Sequence, residues 1–227
     1  SWRMLPSDLP PYKAVFAFFA RARDSGLLER VYERLHALWR ERSGREPLPS
    51  AGVMDRQSVK TLKKGALWFD AGKKIKGRKR FAVVDTLGLP IAVEIQAASV
   101  QERDGAPPAI AKAKRRAPRL AHIWGDGGFA GRCVEQVRKE TGITLEIVRR
   151  CSEGDPQQWV PEGQTPPPVP VGFTVLPRRW VVERLAGSGG IAVFKDHEAK
   201  PESSLAWVYI AFARLLVQRF GILRAMA

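Results

Sequence analysis

Apolar residues recur along this chain with two periods, and the switches between them outline the elements. Tyr12, Val15, Phe16 and Phe19 stand at helical spacing behind Pro10 and Pro11, predicting a helix over 12–23. After a break at Asp24, Ser25 and Gly26 the same period resumes through Leu28, Val31, Leu35, Leu38 and Trp39 to about Arg42. Two helices and a three-residue break predict an αα-hairpin or a helix-turn-helix over residues 1–48, structural or DNA-contacting. His36 sits on the flank of this stripe, a surface or packing residue rather than a ligand. Beyond the turn-rich 44–50 connection, Val53 and Met54 form a short apolar strand that leads into Asp55. Alternation returns with Phe81 and Val83 on one arm and Ile91, Val93 and Ile95 on the other, a hairpin turning at Asp85 to Gly88. Residues 105–118 predict a short basic helix with Ile110 inward, and Leu120 to Trp124 a buried strand. Cys133, Val134 and Val137 then mark a helix closed by Gly142, and Ile143, Leu145 and Ile147 another strand. The Pro-rich stretch 151–172 has no period and reads as a loop, whereas Pro177 starts a further helical stretch. After Pro201, Leu205, Val208, Tyr209, Phe212, Leu215 and Leu216 form an amphipathic helix able to cover a sheet. The sum is an α/β domain over 49–227 preceded by the helical segment.

Charge narrows what such a domain binds. Lys and Arg number 38 against 23 acidic residues, a net charge of +15, in a chain that is still 44% hydrophobic. A folded protein with that excess seeks a polyanion, with nucleic acid first and an anionic membrane surface second. No apolar run reaches the roughly 20 residues needed to span a bilayer, and the opening SWRMLP is no signal peptide, so a cytoplasmic protein is expected. Cys133 and Cys151 lack zinc-ligand spacing and fit a reducing compartment. The densest basic run carries Lys63, Lys64, Lys73, Lys74, Lys76, Arg78, Lys79 and Arg80 with Trp68 and Phe69 interleaved. It is either a solvated loop or a strip that follows a phosphate backbone.

Acids supply the chemistry. Asp126 follows the strand at 120–124 and stands among Gly125, Gly127 and Gly128, as a turn aspartate or as a carboxylate that a ligand can approach closely. Asp55 ends the first apolar strand, and Asp85, in the hairpin turn, is a minor rival to it. Glu183 lies four residues after Arg179 on one helix face, with Trp180 and Arg184 beside them, either an ordinary ion pair or part of a site. Three acids on separate elements suit two Mg²⁺ ions roughly 3.5–4 Å apart, the arrangement that serves in-line phosphoryl transfer. Basic surroundings would offset the repulsion between that cluster and a polyanionic substrate.

The motifs DRQSVKT, DAGKKIKGRKR, VVDTLGLPIAVEIQAA, IWGDGGFAG and VLPRRWVVER, in this order, resemble bacterial insertion-sequence transposases of the DDE class, in particular the insertion-sequence-five group. WRMLPSDLPPYKAVFAFFARARDSGLLERVYERL resembles the helical segment that precedes their catalytic region. The resemblance implies an RNase H-like fold, a mixed five-stranded sheet flanked by helices. It puts the first catalytic acid at Asp55 on strand one, the second at Asp126 after strand four, and the third at Glu183 on a later helix. It implies Mg²⁺, with Mn²⁺ as substitute, held by those three acids. It also implies DNA ends and target DNA as partners, a homodimer on DNA, no membrane, and a bacterial, nucleoid-associated location. Lys73, Lys74, Lys76, Arg78, Lys79, Arg80, Arg178, Arg179, Trp180 and Arg184 are then the expected DNA contacts. Against the family pattern, the chain is expected to be truncated at its N-terminus, Leu176 and Gly190 replace an aromatic and a basic residue, and the run LAGSGGIAVF follows Glu183. Gly187, Gly189 and Gly190 each cost a helix roughly 1 kcal/mol. Lys195 and Asp196 resume the family pattern two residues early. Three functions therefore stand side by side: an active transposase, an inactive remnant that binds DNA, and a basic nucleic-acid-binding module without catalysis.

Overall fold

A computed structural model describes residues 2–61, 68–70, 74–148 and 195–221. The Pro-rich stretch 151–172, the helix expected from Pro177 with Arg178, Arg179, Trp180, Glu183 and Arg184, the glycine run after it, and Lys63, Lys64 and Lys73 lie outside those residues.

The helical hairpin forms as α1 (Tyr12–Asp24) and α2 (Leu27–Arg42). Gly26, at φ +70°, makes the left-handed turn between them, a conformation that costs glycine little and other residues more. One detail differs from the apolar pattern. Val31 and Leu38 are exposed, and the seam that α2 buries is Tyr32, His36 and Arg40. Helix rotation here follows a buried charge: His36 Nε2 lies 3.0 Å from Asp85 Oδ2, and Arg40 pairs with the same oxygen.

The sheet follows with β1 (Ala51–Thr61), β2 (Trp68–Asp70), β3 (Ile75–Asp85), β4 (Pro90–Ala97), β5 (His122–Gly125), β6 (Thr144–Ile147) and β7 (Lys195–Asp196). Its five main strands lie in the order β4, β3, β1, β5, β6. β1, β3 and β4 are antiparallel neighbours, while β5 runs parallel to β1 and β6 parallel to β5. This mixed order, with flanking helices, is the expected RNase H-like fold. β2 and β7 are short additions, β2 beside the start of β3 and β7 beside the end of β1.

Helices α3 (Glu102–Arg116) and α4 (Arg132–Thr141) cover one face of the sheet. Their core joins Ile110, Ala113, Cys133 and Val137 to Met54, Phe81, Val83, Ile123, Phe129 and Leu145, with Ile110 inward as expected. On the other face α5 (Pro201–Arg219) packs with α2, joining Val208, Tyr209, Phe212, Leu216 and Tyr32 to Val53, Ala82, Val84 and Val93. Because both faces are covered, β3 is buried almost throughout. Tyr32 belongs to the same core as the sheet, and its hydroxyl donates to Pro90 O at 2.6 Å.

Candidate active site

β1 does not stop at the acid. It continues six residues past Asp55 to Thr61, because its other edge pairs with β3 all the way to Lys60, opposite Gly77. On the edge facing β5 the situation changes. Ladder partners there are Ala51–His122, Gly52–Ile123 and Val53–Trp124, after which β5 ends at Gly125. β7 takes up the same edge only at Lys60 and Thr61. Among the described residues, the stretch between is an open notch in the sheet.

Asp55 and Asp126 flank the start of that notch. Extending the Val53–Trp124 register by two residues sets Asp126 beside Asp55, and neighbouring strands are about 4.8 Å apart. Strand alternation sends Val53 and Asp55 to one face, with Trp124 on the same face, while Asp126 follows the end of β5 and caps the turn after it. Asp55 is half-buried and Asp126 exposed. Around Asp55 a small cavity of about 30 Å³ is lined by Gln57, Arg80, Ala82, Val93, Val208 and Phe212, so α5 roofs the first acid.

Asp126 is a turn aspartate as well. Its Oδ1 accepts from Gly128 N at 2.9 Å, and its own carbonyl accepts from Phe129 N at 3.1 Å, forming a single 3-10 turn over Gly127–Phe129. Phe129 is buried against the α3–α4 core and anchors the loop. The turn bond uses Oδ1, and Oδ2 takes no part in it.

A Mg²⁺ ion is bound in many proteins by only one or two carboxylates plus water and substrate oxygens. Asp55 and Asp126, on neighbouring segments where β5 ends, supply hard oxygen donors of the kind such an ion takes. Among the described residues no three His, Cys, Asp or Glu side chains converge closely enough to hold one by themselves. Glu183, the third expected ligand, lies outside them.

Residues 46–190 match the transposase DDE domain. The chain belongs to that transposase family. Among curated proteins nothing matches it. A solved structure that resembles this transposase chain is the catalytic core domain of BIV integrase, at 15% identity and a TM-score of 0.34 over 76% of this chain and 97% of that one. Strand order, not that superposition, carries the RNase H-like assignment.

The expected basic strip on this transposase needs a correction. Lys74 and Lys76 are exposed, but Arg78, Lys79 and Arg80 are inside the fold. Arg78 is 1% exposed; it donates to Asp196 Oδ2 at 2.8 Å, Glu198 O at 3.0 Å and Ala199 O at 2.6 Å. Lys79 donates to Val100 O at 2.7 Å and lies 3.6 Å from Asp70 Oδ2. Arg80 donates to Ser204 Oγ at 3.4 Å, and burial lowers its guanidinium pKa, with Asp196 opposing and Arg78 reinforcing the shift. As β3 is the sheet's second strand and covered on both faces from Gly77 onward, Arg78, Lys79 and Arg80 bind other parts of the chain.

Asp85, the rival acid, belongs to the hairpin turn and is fully buried. Leu87 N and Leu89 N donate to its Oδ1 at 2.9 and 3.0 Å, while His36 and Arg40 hold Oδ2. It faces α2 and fixes the fold. Two residues of the site region carried little signal in the sequence. Gln57 could be found only by counting two residues on from Asp55, and Glu102 only by knowing that α3 begins beside the Asp126 loop.

Proposed function

We propose that this chain is a DNA transposase of an insertion sequence, of the insertion-sequence-five group, that cleaves and joins strands at element ends with Mg²⁺ or Mn²⁺. The observation that supports the reading is the β1–β5 register, whose extension by two residues sets Asp126 beside Asp55 where β5 ends. Glu183 completes the carboxylate set, supplied by the helix expected between Pro177 and the glycine run. When bound, the divalent ion makes a hydroxyl or water oxygen a better nucleophile and stabilises the charge that builds on the leaving oxygen.

The chain's own residues do the rest. Asp55 is held rigidly, mid-strand, with a β3 partner on one side and α5 above it. Asp126 is held by its turn, and Gly127, with open space where a side chain would stand, leaves room for a sugar–phosphate backbone to lie against the loop. Asp55, Asp126 and Glu183 would hold the ion; Lys73, Lys74, Lys76, Arg178, Arg179, Trp180 and Arg184 would contact DNA. The excess positive charge of the chain favours a polyanionic substrate.

Incubating the protein with Mn²⁺ and duplex oligonucleotides carrying the terminal repeats of its element tests this. Strand cleavage that is abolished in both Asp55→Asn and Asp126→Asn supports it. Cleavage that persists in Asp126→Asn sinks the assignment of Asp126, and an inert parent protein that still binds the ends would make the chain a binding remnant. Light scattering of the DNA-bound protein decides whether it acts as a homodimer.

A further inference from the structure

The loop that carries Asp126 touches a charged side chain from another element. A Cβ built on Gly128 would stand 2.6 Å from Glu102 Cδ and 3.1 Å from Asp126 Oδ1, so the Glu102 carboxylate occupies the space beside this loop and neighbours the Asp126 carboxylate. Glu102 is the first residue of α3, and its other oxygen pairs with Arg56. Arg56 directly follows Asp55 on β1, opposite Phe81. Both partners are largely withdrawn from water, with side chains 19% and 21% exposed for Arg56 and Glu102. α3 can come so close because Gly105 lies flat on the Phe81 ring, where a side chain would collide.

Arg56 and Glu102 thus form a strut under the site, from the strand bearing Asp55 to the loop bearing Asp126. We propose that Glu102 is a positioning residue: paired with Arg56 and seated against Gly128, it fixes the distance between the Asp55 and Asp126 carboxylates. This rests on the two-acid reading above and adds to it. Its carboxylate also neutralises a guanidinium one residue from Asp55, which would otherwise repel a divalent cation. The need for glycine at 128 follows. An alanine there meets the far end of the Glu102 side chain, so the backbone stays and the carboxylate is evicted from its pair with Arg56.

The test uses Glu102→Gln, Glu102→Ala, Gly128→Ala and the Glu102→Ala/Gly128→Ala double variant, in the full chain. Mn²⁺ binding is read by electron paramagnetic resonance, and amide exchange is followed across Asp126–Gly131 by mass spectrometry. Each single variant should weaken Mn²⁺ binding about tenfold, equivalent to 1.4 kcal/mol, and speed exchange in the loop while the thermal midpoint moves little. The double variant should match Glu102→Ala, because an evicted and an absent carboxylate are the same defect. Wild-type Mn²⁺ affinity and loop exchange in Glu102→Gln and Glu102→Ala would overturn the proposal, as would additive losses in the double variant. If the parent binds no Mn²⁺, or Asp126→Ala binds it equally, the metal reading fails; the strut is then decided by loop exchange alone, unchanged rates in Glu102→Ala refuting it.

Discussion

At the residue scale, Asp85 shows how a buried carboxylate governs its surroundings. Burial pushes its carboxyl pKa up, but the His36 hydrogen bond and charge, the Leu89 amide and Arg40 outweigh that, so it stays below the usual aspartate value. The folded state therefore binds this proton less readily than the unfolded chain. Its contribution to stability is complete above the ordinary aspartate pKa of about 3.9, and it is lost as pH falls below that value towards the folded one. Urea unfolding of the parent should weaken steeply below about pH 4, and Asp85→Asn should flatten that part of the profile while lowering stability at neutral pH. Equal slopes in both proteins would show that other carboxylates dominate acid unfolding. Arg40→Met leaves Asp85 with His36 as its side-chain partner and should cost about 3–5 kcal/mol at neutral pH, the usual penalty for breaking a buried pair. The same carboxylate explains why the apolar pattern misplaces the buried face of α2. Leu38 and Val31 fit its apolar stripe, but pattern alone carries no term for a distant acid that must be bonded by His36 and Arg40.

Among elements, those marked by uninterrupted local periodicity were legible: the α1–α2 break, the hairpin of β3 and β4, and the apolar face of α5. What was not legible depends on long-range pairing. Nothing within DRQSVKT says that a strand continues through an acid; β1 does so because β3 pairs with it along its length. Likewise the run of cations in β3 reads as solvated until Asp70, Asp196 and the carbonyls of Val100, Glu198 and Ala199 are known to face it. Two buried partners, Arg78 and Asp196, fasten the segment leading into α5 to the sheet, and Asp196 Oδ1 accepts from Glu198 N at 3.0 Å. The family-like Lys195 and Asp196, two residues early in the chain, are thus seated in the sheet. Arg78→Ala strands Asp196 without its cation and should destabilise the protein by about 3–5 kcal/mol in urea titrations, whereas Arg78→Met with Asp196→Leu should recover most of that loss. Phe212→Ala, which removes the roof over Asp55, should cost a similar ~3–5 kcal/mol. A loss under about 1 kcal/mol in Phe212→Ala would mean that α5 is not held on the sheet as described.

For the whole molecule, a charge of +15 states how many cations the chain has in excess, but not which of them water or DNA can reach. Some are spent internally. Arg116, for example, is shared among Glu29, Glu33, Ile91 O and the Tyr209 hydroxyl, and so joins α2, α3, β4 and α5. Arg78, Lys79 and Arg80 are spent in the same way, so the DNA binding proposed above would draw on the cations left outside. Lys74 and Lys76 at the start of β3 are exposed members of the basic strip, and binding to a phosphate carries no base information. Replacing both with Ala should weaken binding to specific and random duplexes by the same factor. It should also reduce the slope of log affinity against log salt by about 0.9 for each phosphate that is no longer neutralised. Neutralising Arg78 and Arg80 should instead act through folding, with a lowered thermal midpoint in the absence of DNA. Fluorescence-anisotropy titrations from low to moderate salt, run beside thermal melts, separate the two behaviours. If Lys74→Ala/Lys76→Ala binds DNA as tightly as the parent at low salt, with an unchanged slope, the DNA path does not cross the β2–β3 end of the sheet.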